Sequence, residues 1–225
     1  MGAQQQAGSV TRITLRPIAS PLPLGFLGLA AGTLTLAGLQ LSWVAADQQQ
    51  LVGLAVLAFV APLQLISAVY GFLARDSAAG VGMGVQGGSW LAIGAVTYAS
   101  PPGRVSGALG LILLGAAAGL VVAAVTAALS KVLAGLVMAL TSARFFITAA
   151  YELSGSSSWE RAAGITGLAL AALAIYAALA FELEDAHGRT LLPTLRRASG
   201  QQAIDANLSD DVDGLQREAG VRRKL

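Results

Sequence analysis

The residues able to do chemistry in this chain are few, and most stand inside long apolar runs. Arg144 is the sharpest of them. It lies two or three residues past the middle of an otherwise uncharged run of about 20 residues, only ~4 Å from its centre at 1.5 Å per residue. Snorkelling to water would have to cover about 11 Å of a ~15 Å half-bilayer, farther than the side chain comfortably reaches. Thr141, Thr148 and Tyr151 share its helical stripe, which predicts a hydrated or protein-facing side. No acidic residue lies deep in any run; Glu152 and Glu182 stand near run ends. A guanidinium without a fixed partner attracts anions, carboxylates above all. The competing reading is a structural arginine bonded to backbone carbonyls.

Three amides form the second set. Gln40 follows Thr33 by seven residues, Gln64 precedes Ser67 by three just after a kink-prone Pro62, and Gln86 accompanies Ser89. Three amides from consecutive runs can line one path and solvate a small polar solute. They can equally be interhelical hydrogen-bond glue, worth about 0.6–2 kcal/mol each. Gln86 sits in AGVGMGVQGGSWLAI, roughly opposite a helical strip of Gly80, Gly84 and Gly88. With Gly28/Gly32 and Gly115/Gly119, that strip predicts close helix packing within and between protomers.

Other chemistries are missing. The chain has no cysteine and a single histidine, so no thiolate or transition-metal site is expected. No Ser/His/Asp set, carboxylate pair or phosphate loop is placed to work. The expectation is a non-enzyme with no cofactor and no metal. His187 reads as a solvated flank residue rather than a proton relay.

The elements that must position these residues follow from composition. Hydrophobic residues make up 55% and charged ones 12%, against about a quarter charged in soluble domains. The net charge of +2 says nothing about nucleic acid, and no nucleic-acid partner is expected. Apolar spans of membrane length are predicted at 24–45, 51–73, 78–98, 105–129, 132–151 and 162–181. The fold class is therefore an all-α membrane protein of six transmembrane helices forming a pore-containing bundle. Its domains are a polar N-terminal tail (1–20), the helical domain (21–193) and a charged C-terminal tail (194–225).

An inside N-terminus places Arg12, Arg16, Arg75, Lys131 and the seven basic residues of the C-terminal flank and tail in the cytoplasm. Only Arg104 and Arg161 fall on the other side, so both termini are expected to be cytoplasmic. No signal-peptide core precedes the first span, and a lipid anchor on Gly2 is unnecessary. Ile204, Leu208, Val212 and Leu215 recur at helical spacing within a tail that reads as mostly disordered. The near-match of LGLAAG (27–32) and LGAAAG (114–119) raises a weak inverted repeat. Ala/Gly/Val/Arg-rich usage suggests a bacterial inner membrane.

Several blocks resemble the succinate–acetate permease family of acetate uptake transporters. Ser20-Pro21-Leu22-Pro23-Leu24-Gly25 is similar to its first-helix signature, Asn-Pro-Ala-Pro-Leu-Gly. The Pro62–Ala68 block stands at the family's second-helix Gly-Gly-x-Ala-Gln run, and the Arg75–Leu91 segment follows its loop and third helix, ending in a Trp-Leu pair. Gly188-Arg189-Thr190-Leu191-Leu192-Pro193 resembles the family's Gly-Arg-Thr-x-Leu-Pro exit.

The resemblance implies a six-helix protomer with its own pore, assembled as a hexamer. It would move acetate and related short carboxylates such as propionate or succinate, in many members with protons. Ser20, Pro21, Pro23 and Gly25 would form the entrance. The family's Phe/Tyr/Leu constriction falls at Leu29, at Gln86 (or Gly87), and near Leu140 with a one-residue doubt, with Arg144 close by. A pore for a neutral solute such as ammonia or water is the alternative, and a non-transport scaffold or sensor the second.

Overall fold

The structure is a computed structural model that describes residues 18–197. Arg12, Arg16 and the tail helix expected around 204–215 lie outside the described residues.

The first helix, α1 (Leu22–Gln40), opens on Pro21 and Pro23. Proline at a first turn gives up only an N–H that has no intrahelical acceptor there. The helix stops at Leu41 and Ser42, the latter at φ 59°. Apolar residues through Ala45 make the run look longer, but Trp43 is exposed in the following turn.

The second rod joins α2 (Gln49–Ala55), a π turn (Val56–Val60) and α3 (Ala61–Leu73). Pro62 lacks an N–H and crowds the carbonyl one turn back, and the widened π turn immediately before it absorbs that mismatch.

Then come α4 (Ser77–Ala99), capped by Asp76 through a bond from Ala79 N (3.1 Å), and α5 (Gly107–Ala128), capped by Ser106. α6 (Val132–Ser154) ends at Gly155 and α7 (Ser157–His187) at Gly188. Both glycines are left-handed (φ 66° and 62°), where a side chain would be strained.

The closest-packed pairs are α5 with α6, α1 with α7, and α3 with α4; α4/α5, α6/α7 and α1/α3 complete the circuit. Each rod thus touches its neighbours in sequence, and the last touches the first. Six rods make a closed ring around one apolar core.

Five rods are long and apolar enough to cross a membrane: α1, the α2–α3 rod, α5, α6 and α7. α4 is not among them, because its glycines, with Gln86 and Ser89, dilute its hydropathy.

Glycines seat the ring. A Cβ on Gly28 would meet Leu63 at 3.1 Å, and one on Gly32 would meet Val60 at 2.6 Å, so α1 rides close on the second rod. Gly80 faces the Phe72 ring at 2.7 Å, while Gly84 and Gly119 touch Ala68 and Val85 loosely, both at 3.7 Å. Gly88 and Gly115 meet nothing within 4 Å and are exposed, so they do not pack inside the protomer as expected. The two near-matching blocks therefore differ in environment: Gly28 and Gly32 are buried, whereas Gly115 faces outward.

The bundle runs past residue 193. After Gly188 the chain folds back across the Pro21 end of the ring. Val132 N donates to Leu195 O (3.2 Å), Leu133 N to Thr194 O (3.4 Å) and Arg197 N to Ser130 O (2.9 Å). The first two of these bonds satisfy first-turn donors of α6 that have no intrahelical acceptor.

Glu184, 5% exposed, anchors the strap by accepting from Thr190 (3.1 Å), the buried Thr194 (2.8 Å) and the Arg196 guanidinium. Glu182, singled out in the sequence, is exposed instead, as is His187, whose ring contacts only Leu183 O. Glu184→Ala is expected to cost about 2 kcal/mol, between an exposed ion pair and a buried one. Thermal unfolding in detergent checks this; an unchanged midpoint would mean that the strap is held by other contacts.

Candidate substrate path

The Gln40 end of the ring opens into a cavity of about 220 Å³. Leu36, Ile93, Val96 and Leu109 give it an apolar side, and Gln40, Gln49, Arg104, Thr148, Glu152 and Glu160 a polar one. A wider groove of about 460 Å³ adjoins it between residues 40–43 and the start of α7, with Gln40 and Glu160 lining both.

Gln49 holds the rim. Its amide nitrogen donates to Thr97 O and Ser100 O (both 3.2 Å), and its oxygen accepts from Gly103 N (2.9 Å). Glu152 accepts from Ser106 N at 2.7 Å. The rim role of Gln49 is not readable in the sequence, because it depends on how the loop before α2 closes on the loop between α4 and α5. Glu152 and Glu160 reach the same cavity across the single turn between α6 and α7.

At the Pro21 end a crevice of only about 10 Å³ lies between Leu22, Asp76, Ala79, Lys131 and Met138. That is room for no more than about one water. The Asp76–Lys131 ion pair crosses it.

Between the two openings the core is filled by Leu29, Met83, Gln86, Trp90, Met138, Thr141 and Phe145, each 1% exposed or less. Trp90 meets Phe145 edge-on, with ring centroids 6.1 Å apart. Phe145 carries no motif in the sequence, and Trp90 stands there only as part of the Trp-Leu pair. Their pairing across α4 and α6 leaves no local sequence signal.

Arg144 is fully buried one turn below Thr148. Its Nη1 donates to Ala163 O (3.1 Å) and its Nη2 to Gln40 Oε1 (3.4 Å). Among the described residues no carboxylate lies within ion-pairing distance of it. The space for the guanidinium is made by Gly167: a Cβ there would stand 1.5 Å from Nη1. The backbone-bonded reading of Arg144 is therefore realised in part, through α7 and through Gln40.

The other polar residues hold local bonds. Thr33 donates to Gly167 O (3.3 Å), Thr141 to Val137 O (2.7 Å), Thr148 to Arg144 O (2.9 Å) and Ser89 to Val85 O (2.8 Å). Gln64 donates to Gly25 O (2.9 Å), tying the second rod to the Pro-x-Pro start of α1. Gln86 donates only to the thioether of Met138. Gln64 Oε1, Ser67 Oγ, Gln86 Oε1 and Trp90 Nε1 are buried with no partner among the described residues. Buried polar atoms in that state call for water or a passing solute. Of the residues expected at the entrance, Pro21, Pro23 and Gly25 are buried and Ser20 is half-buried, and Met83 fills the space a Cβ on Gly25 would need.

Residues 1–195 match the model of the GPR1/FUN34/yaaH family. The chain belongs to this family. It is the acetate transporter family that the Pro-x-Pro and Gly-Arg-Thr motifs resemble. No curated protein matches the sequence. Among solved structures, the family fold recurs in one described as the structure of the bacterial acetate channel SatP. It superposes with a TM-score of 0.68 at 21% identity, covering 78% of this chain and 98% of that one.

The residues expected at the constriction differ in burial. Leu29 and Gln86 are fully buried; Gly87 turns toward α3, where a Cβ would meet Leu65. Leu140 is only half-buried, and the neighbouring Thr141 faces inward instead. The one-residue shift follows from helical phase: Val137, Thr141, Arg144 and Thr148 share the inner stripe of α6.

Proposed function

We propose that this protein passes acetate and related short carboxylates across a membrane through the ring of a single protomer. The observation that carries the reading is Arg144, a buried cation with no carboxylate partner among the described residues, just beneath a cavity that opens at one end of a closed helical ring. Membership of the acetate transporter family and the fold shared with the acetate channel support it. The apolar walls suit a methyl or short alkyl end, and the buried positive charge favours the anionic end.

Propionate and succinate are proposed as further substrates, and leakage is limited by the filled stretch from Leu29 to Phe145. Glu152 and Glu160 are the titratable acids of the cavity wall, so a proton carried with the substrate is handled there. We place both termini in the cytoplasm of a bacterial cell, with the protein in the inner membrane. A homo-oligomer, a hexamer by family resemblance, finds support in the open space at Gly88 and Gly115.

The test is uptake of labelled acetate by reconstituted protein, with unlabelled propionate, formate and succinate as competitors. Inhibition by propionate and succinate is expected. If none of the four enters above the level of empty liposomes, the reading fails. A neutral-solute pore has one observation in its favour, the four buried polar atoms without partners. Osmotic swelling of the same vesicles in ammonia or glycerol separates it: swelling without acetate uptake would replace the carboxylate reading.

A further inference from the structure

The guanidinium of Arg144 carries donors only, so it can face only the oxygen end of a side-chain amide. Its Nη2 lies 3.4 Å from Gln40 Oε1. That contact fixes which way the Gln40 amide points, and sends Nε2 the other way. Gln40 is 9% exposed and lines both cavities at its end of the ring, whereas Arg144 lines neither. Among the described residues no acceptor reaches Gln40 Nε2, yet this nitrogen is not sealed in the core with the unpartnered atoms of α3 and α4.

We propose that Gln40 is the residue that grips the substrate's carboxylate, and that Arg144 is a positioning residue acting through it. The proposal rests on the carboxylate reading above and names the group that recognises the anion.

The electrostatics agree. A charged donor on the amide oxygen polarises the amide and strengthens the N–H on its far side. The cation's effect thus reaches the cavity floor while the guanidinium stays seated against α7 at Ala163 and Gly167. Leu36, Ile93 and Val96 take the alkyl end of the ligand. Glu152 and Glu160 share the cavity wall with Arg104 and present only acceptors when ionised, so the Gln40 N–H and Arg104 join the hydroxyls of Ser42, Thr97 and Ser100 as donors to a carboxylate there. A site built this way rejects a ligand that offers no acceptor, since the amide N–H would then be left unpaired.

Gln40→Glu tests this with the shape preserved. The new carboxylate pairs with Arg144, so the fold keeps its buried cation satisfied, while the N–H donor disappears. In liposomes the ratio of acetate to acetamide uptake is expected to fall at least tenfold, because acetamide can donate to the new acceptor. In detergent, acetate is expected to raise the unfolding temperature of the wild type and leave that of Gln40→Glu unmoved. Arg144→Met, which frees the Gln40 amide to turn, should raise the half-saturation for acetate more than that for acetamide. A Gln40→Glu ratio within twofold of wild type, or equal stabilisation of both proteins by acetate, would overturn the proposal. Wild-type protein that is stabilised by acetate through Gln40 but carries none would retire transport while leaving the Gln40 site standing. Wild-type protein that neither carries acetate nor is stabilised by it would overturn both.

Discussion

Gly167→Ala is expected to be severely destabilising, although it replaces glycine by the best helix former in the middle of a helix. On propensity alone the change should stabilise by about 1 kcal/mol. The added Cβ would lie 1.5 Å from Arg144 Nη1, 2.6 Å from Cζ and 3.1 Å from the Ala37 Cβ, so the guanidinium has to leave its seat. Displacing it breaks the bonds to Ala163 O and Gln40 Oε1 and leaves a buried charge uncompensated. Losing the partners of a buried charge costs about 3–5 kcal/mol, which outweighs the propensity gain.

The check is thermal unfolding of the single and double variants. With Arg144→Met in place the obstruction is gone, and the Gly167→Ala penalty should shrink by about 2 kcal/mol or more, a coupling expected of residues in direct contact. Equal penalties in both backgrounds would mean that Arg144 does not occupy the space above Gly167.

Arg144→Met is expected to have the largest effect on transport with little effect on folding. Methionine fills similar apolar volume, and replacing a buried ion by an apolar side chain is often neutral or stabilising. Ala163 O loses one donor, and Gln40 is freed to turn its amide. Acetate uptake should fall at least tenfold per folded protein while the unfolding temperature stays level or rises. The separation matters: a residue that only holds helices together would lose stability and activity in parallel. Uptake unchanged in a stable Arg144→Met protein would assign Arg144 a structural role alone.

Much of the ring was legible before any coordinates. Charge-free runs of membrane length marked all six rods, and Gly28 and Gly32 do sit at a tight α1 contact. Rod ends were less legible. Ser157–Arg161 read as loop because they are polar, yet they form the first turns of α7, which continues to His187 and at 31 residues is longer than a bilayer needs.

The partners of Arg144 were hidden for a physical reason. One is a backbone carbonyl 19 residues on, and the space comes from a missing side chain at Gly167; neither leaves a polar signature. Helical phase explains the other shifts. Glu184, two positions beyond Glu182, faces the strap, and Thr141, one beyond Leu140, faces the core. A half-turn error is invisible in a helix whose sides differ little in hydropathy.

The account is tested most directly by labelled acetate entry into liposomes holding wild-type protein, Arg144→Met protein, or none, at matched amounts of folded protein. Wild type should fill well above empty liposomes, competed by propionate, and Arg144→Met should fall at least tenfold below wild type. Wild-type entry no faster than that of empty liposomes would contradict the central claim that this ring carries small carboxylates.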